Sequence, residues 1–299
     1  MTLTERPIVP SGPGTPASGT PPPAAARRIL YQRPESLAEK STHYCPGCGH
    51  GIIHRLIAEL LDELGLREQT IAVAPVGCSV FAYDYIRVDW IECPHGRAPA
   101  VATGVRRTNP EKFVLAYQGD GDLAAIGTGE VVHAAARGER ITTVFVNNGI
   151  YGMTGGQMAP TTLLGQKSTS SPLGRESGLH GFPVPITEML AILPGVSYAA
   201  RGTIIDPSSI GKTKAMIKRA MQIQLAGGGY SIVEVLSTCP VGWGMTAPES
   251  MAHLAEVAET YPIGVLVDRL KSGPVTTTTA AAPASSAPAS AAPASATEG

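Results

Sequence analysis

The sequence lacks an excess of charge of either sign, a long hydrophobic run and a large set of aromatic residues. Among 299 residues, 23 Lys and Arg stand against 24 Asp and Glu, and aromatic side chains make up 5%. We therefore expect neither nucleic acid nor a membrane surface as a partner, because both need a basic excess. No run approaches 18 apolar residues, which excludes a membrane-spanning helix. The opening MTLTERPIVP has no charged-then-apolar signal pattern, so we expect a cytoplasmic protein.

Both ends of the chain are rich in Pro, Ala, Ser, Gly and Thr. Residues 1–27 contain few side chains that a core would bury, and residues 274–299 form an Ala/Pro/Ser tract with one charge near its end. Such segments do not recover the ordering cost of about 1–2 kcal/mol per residue, so we predict two disordered tails. Residues 28–273 are expected to form one domain.

Short apolar runs alternate with helical periods between the tails. Apolar residues recur every three or four positions along 50–64, which predicts a helix, and further helices are predicted at 98–107, 126–136, 186–193 and 208–225. Strands are predicted at 70–74, 113–117, 141–146, 196–200 and 230–236. This alternation indicates an α/β fold in which helices cover both faces of a parallel sheet. Ligands of such sheets bind beyond the carboxyl ends of strands, which directs attention to the loops after Tyr117, Val146 and Leu236.

A glycine-rich turn with two carboxylates, formed by Gly119, Asp120, Gly121 and Asp122, follows the second predicted strand. Glycines let a phosphate approach the backbone, and a helix start offers unpaired N–H groups. A carboxylate repels a phosphate unless a cation lies between them, so Asp120 is interpreted as an Mg²⁺ ligand. The alternative is a tight turn in which the aspartate caps the helix.

Two asparagines follow the next strand, and Asn148 lies 28 residues after Asp120. One helix and one strand fill that interval, so the two turns are expected side by side at one edge of the sheet. Asn148 can offer an amide oxygen and Ile150 a backbone carbonyl to the same cation. The alternative is a type I′ hairpin turn at Asn148 and Gly149. It fits less well, because residues 151–157 do not resemble a returning strand.

Five cysteines without an export signal favour metal binding or catalysis over a disulfide framework. Cys45 and Cys48 form a CxxC pair before the first helix, Cys78 follows the first strand and Cys239 follows the last. Four thiolates from loops at one sheet edge suit either a structural Zn²⁺ or a [4Fe–4S] cluster. Cys93 is left over, and we interpret it as a small buried hydrophobic residue rather than a fifth redox group.

Several motifs together resemble the β subunit of the 2-oxoacid:ferredoxin oxidoreductases, in particular the separate-subunit enzymes of the 2-oxoisovalerate or 2-oxoglutarate type. A GDG turn followed at this spacing by two asparagines is the diphosphate–Mg²⁺ motif of thiamine-diphosphate enzymes. The remaining motifs extend the resemblance over about 200 residues; they stand at 44–49 (YCPGCG), 76–79 (VGCS), 94–97 (PHGR), 150–157 (IYGMTGGQ) and 237–240 (STCP).

The resemblance implies the cofactors and the residues that hold them. Thiamine diphosphate is expected to bind through Mg²⁺ on Asp120, Asn148 and Ile150. A [4Fe–4S] cluster is expected on Cys45, Cys48, Cys78 and Cys239. His95 and Arg97 are implied as catalytic residues near the diphosphate, although a histidine in such a turn can also be purely structural. The implied cofactor-binding residues are Gly77, Ser79, His95, Gly119, Gly121, Asp122, Tyr151, Thr154 and Gly155.

The implied activity is oxidative decarboxylation of a 2-oxoacid with coenzyme A to acyl-CoA and CO₂, with electrons passing through the cluster to ferredoxin. The chain offers no candidate for the glutamate that thiamine enzymes place beside the aminopyrimidine ring, so the resemblance implies an α subunit that completes the site. A small ferredoxin-type subunit is also implied, because paired CxxCxxCxxxCP runs are missing. The alternatives are a non-redox thiamine-diphosphate decarboxylase or synthase subunit with a structural zinc, and a non-catalytic electron-carrying or assembly subunit.

Overall fold

The computed structural model describes residues 31–270 of the chain. The chain divides into two units, Met1–Arg33 and Pro34–Gly299, and the fold below is that of the described part of the second unit. The tails predicted at 1–27 and 274–299 lie outside the described residues.

The described residues contain helices and strands in an alternating order. The helices are α1 (His50–Glu63), α2 (Ala98–Thr108), α3 (Thr128–Ala136), α4 (Ser177–His180), α5 (Ile186–Ala191), α6 (Pro207–Leu225), α7 (Pro240–Trp243) and α8 (Ala247–Thr260). The strands are β1 (Thr70–Ala74), β2 (Asp89–Glu92), β3 (Phe113–Gly119), β4 (Thr142–Asn147), β5 (Ile150–Tyr151), β6 (Gln157–Met158), β7 (Val196–Thr203), β8 (Tyr230–Leu236) and β9 (Gly264–Asp268). Among these helices, none combines the length and the apolar character needed to cross a bilayer.

Seven strands form one sheet in the order β2-β1-β3-β4-β8-β7-β9. Every neighbouring pair from β2 to β7 is parallel, and β9 joins the edge antiparallel to β7. The five predicted strands are all present, so the predicted α/β class is confirmed. The prediction missed β2 and β9, which are edge strands whose residues are mostly exposed or half-buried.

Helices cover both faces of the sheet and create two cores. Helices α1, α6 and α8 pack on one face, and α2, α3 and α5 pack on the other. Alternate residues of a strand point to opposite faces, so Leu115 and Tyr117 of β3 enter the first core while Val114 and Ala116 enter the second. Burial on both faces explains why β1, β3, β4 and β8 are almost continuously apolar.

The structure differs from the prediction directly after β3. A helix was expected only from residue 126, but a π-helical segment, Gly121–Ile126, begins at the glycine-rich turn and leads into α3. The Gly127 N–H donates to the Asp122 carbonyl at 3.0 Å, which is the five-residue spacing of a π-helix. This widened turn contains Asp122. Apolar residues at α-helical spacing cannot predict such a widening.

Candidate functional site

The turns after β3 and β4 lie in contact at the carboxyl edge of the sheet. These strands are parallel neighbours, with Gly119 opposite Val146. The Ile150 N–H lies 3.1 Å from Asp120 Oδ2 and 3.2 Å from Asn148 Oδ1, so both oxygens accept from one donor. The chain after Asn148 does not return along β4 as a hairpin, because β5 pairs with β6 instead.

Asp120 is a buried carboxylate that also caps the turn. Its Oδ1 accepts from the Gly121 N–H at 2.8 Å, so the capping interpretation holds alongside the contact with the second turn. Burial raises the pKa of Asp120 to about 7, opposed by backbone N–H groups of Gly121 and of residues 148–150. A bound cation would stabilise the charged form of such a buried carboxylate further, because only neutral dipoles of the protein surround it.

Asp122 anchors the loops that surround the turn. Its Oδ1 lies 2.7 Å from His95 Nδ1, and it accepts from the Gly96 N–H at 2.9 Å and the Val76 N–H at 3.3 Å. Its Oδ2 accepts from Gln118 Nε2 at 2.6 Å. The carboxylate is therefore committed to protein donors, and it supports the site instead of presenting a free oxygen to a ligand.

Replacing Asp122 with Ala is expected to lower the free energy of unfolding by about 3 kcal/mol or more, because several buried donors lose their acceptor. Urea denaturation of the two proteins measures this loss. Asp206→Ala is the matched control, since Asp206 accepts only local bonds at the exposed start of α6. Equal losses in the two variants would contradict the anchoring role of Asp122.

A cavity of about 280 Å³ opens against both turns. It is lined by the predicted residues Gly77, Ser79, His95, Gly119, Asp120, Gly121, Asp122, Asn148, Ile150, Tyr151 and Thr154. Among the predicted cofactor-binding and catalytic residues, two do not line it. Arg97 forms an ion pair with Glu130 of α3, because its position at the start of α2 places it beside that helix. Gly155 follows the lining residue Thr154 but stands outside the cavity wall.

Two aromatic side chains shape this cavity. The bond from His95 Nδ1 to Asp122 fixes the imidazole ring and leaves Nε2 as the ring nitrogen available to a ligand. The Tyr151 ring packs on the glycine-rich turn so closely that a Cβ at Gly121 would lie 2.9 Å from Tyr151 Cε1. Glycine is therefore required at that position by the close approach of the ring.

The cavity also includes residues that were not predicted, namely His50, Val76, Ala125, Ile126, Val146, Gly152 and Met153. Four of them had a signal in the sequence. His50 stands two residues after Cys48, and Val76, Gly152 and Met153 belong to motifs already noted. Ala125, Ile126 and Val146 belong to apolar runs, where a wall residue and a core residue look alike.

A second cavity of about 90 Å³ is surrounded by Cys45, Cys48, Cys78 and Cys239. A Cβ at Gly152 would lie 3.0 Å from Cys239 Sγ and 3.4 Å from Cys78 Sγ, so no side chain fits between this turn and the two thiols. Burial, followed by the neighbouring thiols, raises the pKa of Cys48 to about 11 and that of Cys239 to about 12. Such thiols bind as thiolates only when a positive centre displaces their protons.

The fifth cysteine is separate from this group. Cys93 is 4% exposed, belongs to the second core and donates from Sγ to the Ala74 carbonyl at 3.3 Å. Its interpretation as a small buried residue is confirmed. All five thiols are free.

The two cavities adjoin each other. Four residues, His50, Cys78, Asn148 and Gly152, line both of them. In addition, Trp243 Nε1 of α7, four residues after Cys239, donates to the Asn148 carbonyl at 3.0 Å. The cysteine loops and the predicted cation-binding turn are thus in direct contact.

Comparison with known proteins identifies the family. The model of the thiamine pyrophosphate enzyme C-terminal TPP-binding domain matches residues 75–235. The 2-oxoglutarate synthase subunit KorB of Methanocaldococcus jannaschii is 38% identical over 217 residues, which are 72% of this chain and 75% of the relative. This chain belongs to the β-subunit family of the 2-oxoacid:ferredoxin oxidoreductases. The resemblance drawn from its motifs is confirmed.

A further relative and a solved structure are also similar to this chain. The ketoisovalerate oxidoreductase subunit VorA of Methanothermobacter marburgensis is 47% identical over 241 residues, which are 80% of this chain and 50% of the relative. The chain therefore spans about half the length of that relative. A solved 2-oxoglutarate:ferredoxin oxidoreductase from Magnetococcus marinus, with 2-oxoglutarate, coenzyme A and succinyl-CoA bound, has a TM-score of 0.62 and 30% identity, covering 72% of this chain and 70% of that chain.

Proposed function

We propose that this chain is the thiamine-diphosphate-binding subunit of a 2-oxoacid:ferredoxin oxidoreductase. In the proposed reaction a 2-oxoacid and coenzyme A give acyl-CoA, CO₂ and a proton, and two oxidised ferredoxins each take one electron. The observation that carries the proposal is the shared wall of the two cavities, formed by His50, Cys78, Asn148 and Gly152. The shared wall supports the proposal that a cofactor releasing electrons lies directly beside a cluster that accepts them.

Three oxygens fit an Mg²⁺ ion that carries a diphosphate. We assign them to the Asp120 carboxylate, the Asn148 side-chain oxygen and the Ile150 carbonyl. The Ile150 carbonyl accepts one hydrogen bond, from the Gly152 N–H at 3.0 Å, and a carbonyl oxygen has a second lone pair for a metal. When bound, thiamine diphosphate supplies the electron sink for decarboxylation. His95 Nε2 is the ring nitrogen left available to a ligand in the same cavity, because Nδ1 is bonded to Asp122.

Four thiols around one cavity support a [4Fe–4S] cluster as their occupant. In the described part of the chain, no three His, Cys, Asp or Glu side chains converge tightly enough to hold a single metal ion. Either a structural zinc or a [4Fe–4S] cluster takes four thiolates. Membership of the oxidoreductase β-subunit family favours the cluster over the structural zinc of the alternative function.

The cavity supports the proposal of a partner that completes the site. Its volume of about 280 Å³ is at the lower end of the range for ligand pockets. Among the described residues that line it, the acidic ones are Asp120 and Asp122, and neither is free to act on an aminopyrimidine ring. We assign that glutamate to an α subunit, and we propose a small ferredoxin-type subunit as the route to ferredoxin. Five free thiols fit a reducing compartment, so we also propose a cytoplasmic location.

The test begins with the chain produced anaerobically together with its partner subunits. We expect at least about four iron and four acid-labile sulfide per copy of this chain, with visible absorption that dithionite bleaches. We also expect ferredoxin reduction that requires both coenzyme A and a 2-oxoacid. 2-Oxoisovalerate and 2-oxoglutarate are compared by kcat/KM to identify the substrate. Zinc without iron would overturn the redox assignment, and failure of every 2-oxoacid to reduce ferredoxin would overturn the activity.

A further inference from the structure

Strands β7 and β8 bury an ion pair that the proposed chemistry does not use. Arg201 is fully buried and Glu234 is 1% exposed. Arg201 Nε lies 2.8 Å from Glu234 Oε2 as an ion pair without hydrogen-bond alignment. The terminal guanidinium nitrogens donate to the two carboxylate oxygens of Glu188 at 2.7 and 2.6 Å. Because apolar residues in such a position are often equally stabilising, burial of these charges points to a positional role.

One hydrogen-bonded path leads from this pair to the asparagine turn. Asn147 Nδ2 donates to Glu234 Oε1 at 2.7 Å. Asn147 Oδ1 accepts from the Gly149 N–H at 3.0 Å. Asn147 and Gly149 flank Asn148, so the carboxylate of Glu234 fixes the amide that holds both ends of the turn.

A second path leads from the same pair to the aspartate turn. The Arg201 guanidinium lies 4.9 Å from the centre of the Tyr261 ring. The Tyr261 hydroxyl donates to the Thr161 carbonyl at 2.9 Å, and Thr161 Oγ1 lies 3.5 Å from Asp120 Oδ2. Both turns that carry the assigned Mg²⁺ ligands therefore lead back to Arg201 and Glu234.

The sheet register makes this arrangement rigid. Glu234 is paired with Phe145 of β4 on one side and with Arg201 of β7 on the other. The carboxylate is thus held by three central parallel strands, and it reaches Asn147 at the end of β4. A group fixed in this way can hold a loop without contacting the ligand itself.

We infer that Glu234 and Asn147 are positioning residues of the magnesium site, with Arg201 as the fixed counter-charge that holds Glu234 in place. The inference rests on the proposed function, since it assigns these residues to the Mg²⁺ ligands named there. Glu234 aligns Asn147, and Asn147 aligns Asn148 and Ile150 for one cation.

The test compares Glu234→Gln and Asn147→Leu with the control Thr187→Val, all in the full chain produced with its partner subunits. Thr187 Oγ1 donates to Glu234 Oε2 at 2.5 Å from helix α5, so the control removes a bond to the same carboxylate outside both paths. The readouts are the Mg²⁺ concentration for half-maximal binding of thiamine diphosphate, measured by calorimetry, and the melting temperature. We expect the first two variants to raise that Mg²⁺ concentration about tenfold or more, and Thr187→Val to lower the melting temperature with a change of less than about twofold in Mg²⁺ dependence.

Asp120→Asn serves as the reference that separates this inference from the proposed function. If Asp120→Asn loses binding while Glu234→Gln and Asn147→Leu bind as the wild type does, the positioning role is wrong and the Mg²⁺ site stands. If all three bind as the wild type does, the Mg²⁺ site itself is wrong. If Glu234→Gln does not fold, Asn147→Leu decides, because it leaves both members of the Arg201–Glu234 ion pair in place and keeps a similar side-chain volume.

Discussion

Replacing Asp120 with Asn is expected to weaken Mg²⁺-dependent binding of thiamine diphosphate by about 100-fold or more. The amide keeps the shape of the carboxylate, but its single oxygen can accept from only one of the two donors, Gly121 or Ile150, and it lacks the negative charge that a hard divalent cation requires. The fold is expected to survive. At pH 8 the cofactor-free variant should melt close to the wild type, because removal of a charge from a buried position offsets the loss of one accepted hydrogen bond.

Calorimetric titration of thiamine diphosphate at fixed Mg²⁺ measures this loss, and circular dichroism during heating measures the stability. Asp206→Asn is the matched control, since it makes the same chemical change at an exposed helix start far along the chain. An Asp120→Asn protein that binds the cofactor within about threefold of the wild type would refute the assignment of Asp120 as an Mg²⁺ ligand.

Loss of one thiol should separate the cysteines into two classes. Cys239→Ala is expected to lose about four iron per chain and the dithionite-sensitive absorption assigned to this subunit, whereas Cys93→Ala is expected to keep both. Cys239 lines the cavity with three other thiols, while Cys93 lies in the second core. Each change removes one sulfur atom from a buried position. The comparison therefore separates the role of Cys239 as a cluster ligand from the cost of truncating a buried side chain.

Iron analysis of anaerobically purified protein, together with electron paramagnetic resonance of the reduced sample, makes the measurement. The ferredoxin-type partner contributes the same signal to both samples and cancels in the difference. Full iron content in Cys239→Ala, combined with loss in Cys93→Ala, would show that the set of four ligands is wrong.

Local sequence patterns were sufficient for the parts of the site that follow directly from strand order. The bounds of β1 and β8 match their apolar runs, and the turns at Asp120 and Asn148 meet because β3 and β4 are parallel neighbours. The loops of Cys78 and Cys239 follow β1 and β8 in the same way, whereas the Cys45–Cys48 loop precedes α1. Where a strand end fixes the start of a short loop, the position along the chain determines the position in space.

Contacts between distant elements were not predictable in this way. The guanidinium of Arg97, which is predicted to be catalytic, pairs with Glu130 of α3, a contact set by how α2 packs on α3. Asp122, which is predicted to bind the cofactor, lines the cavity and accepts from four protein donors. The link from Glu234 to Asn147 spans 87 residues and depends on β8 lying beside β4. None of these contacts leaves a periodic signal in the sequence.

The four thiols of the proposed cluster come from distant parts of the chain. The first pair is synthesised by residue 48, but the last thiol follows β8, which must insert between β4 and β7 before Cys239 reaches its place. The loop that carries Cys45 and Cys48 is then hydrogen-bonded to the loop that carries Cys239, because Thr238 Oγ1 donates to the Gly47 carbonyl at 2.6 Å. The four thiols of the proposed cluster therefore come together only when β8 has taken its place in the sheet, so occupancy of that site depends on a folded subunit.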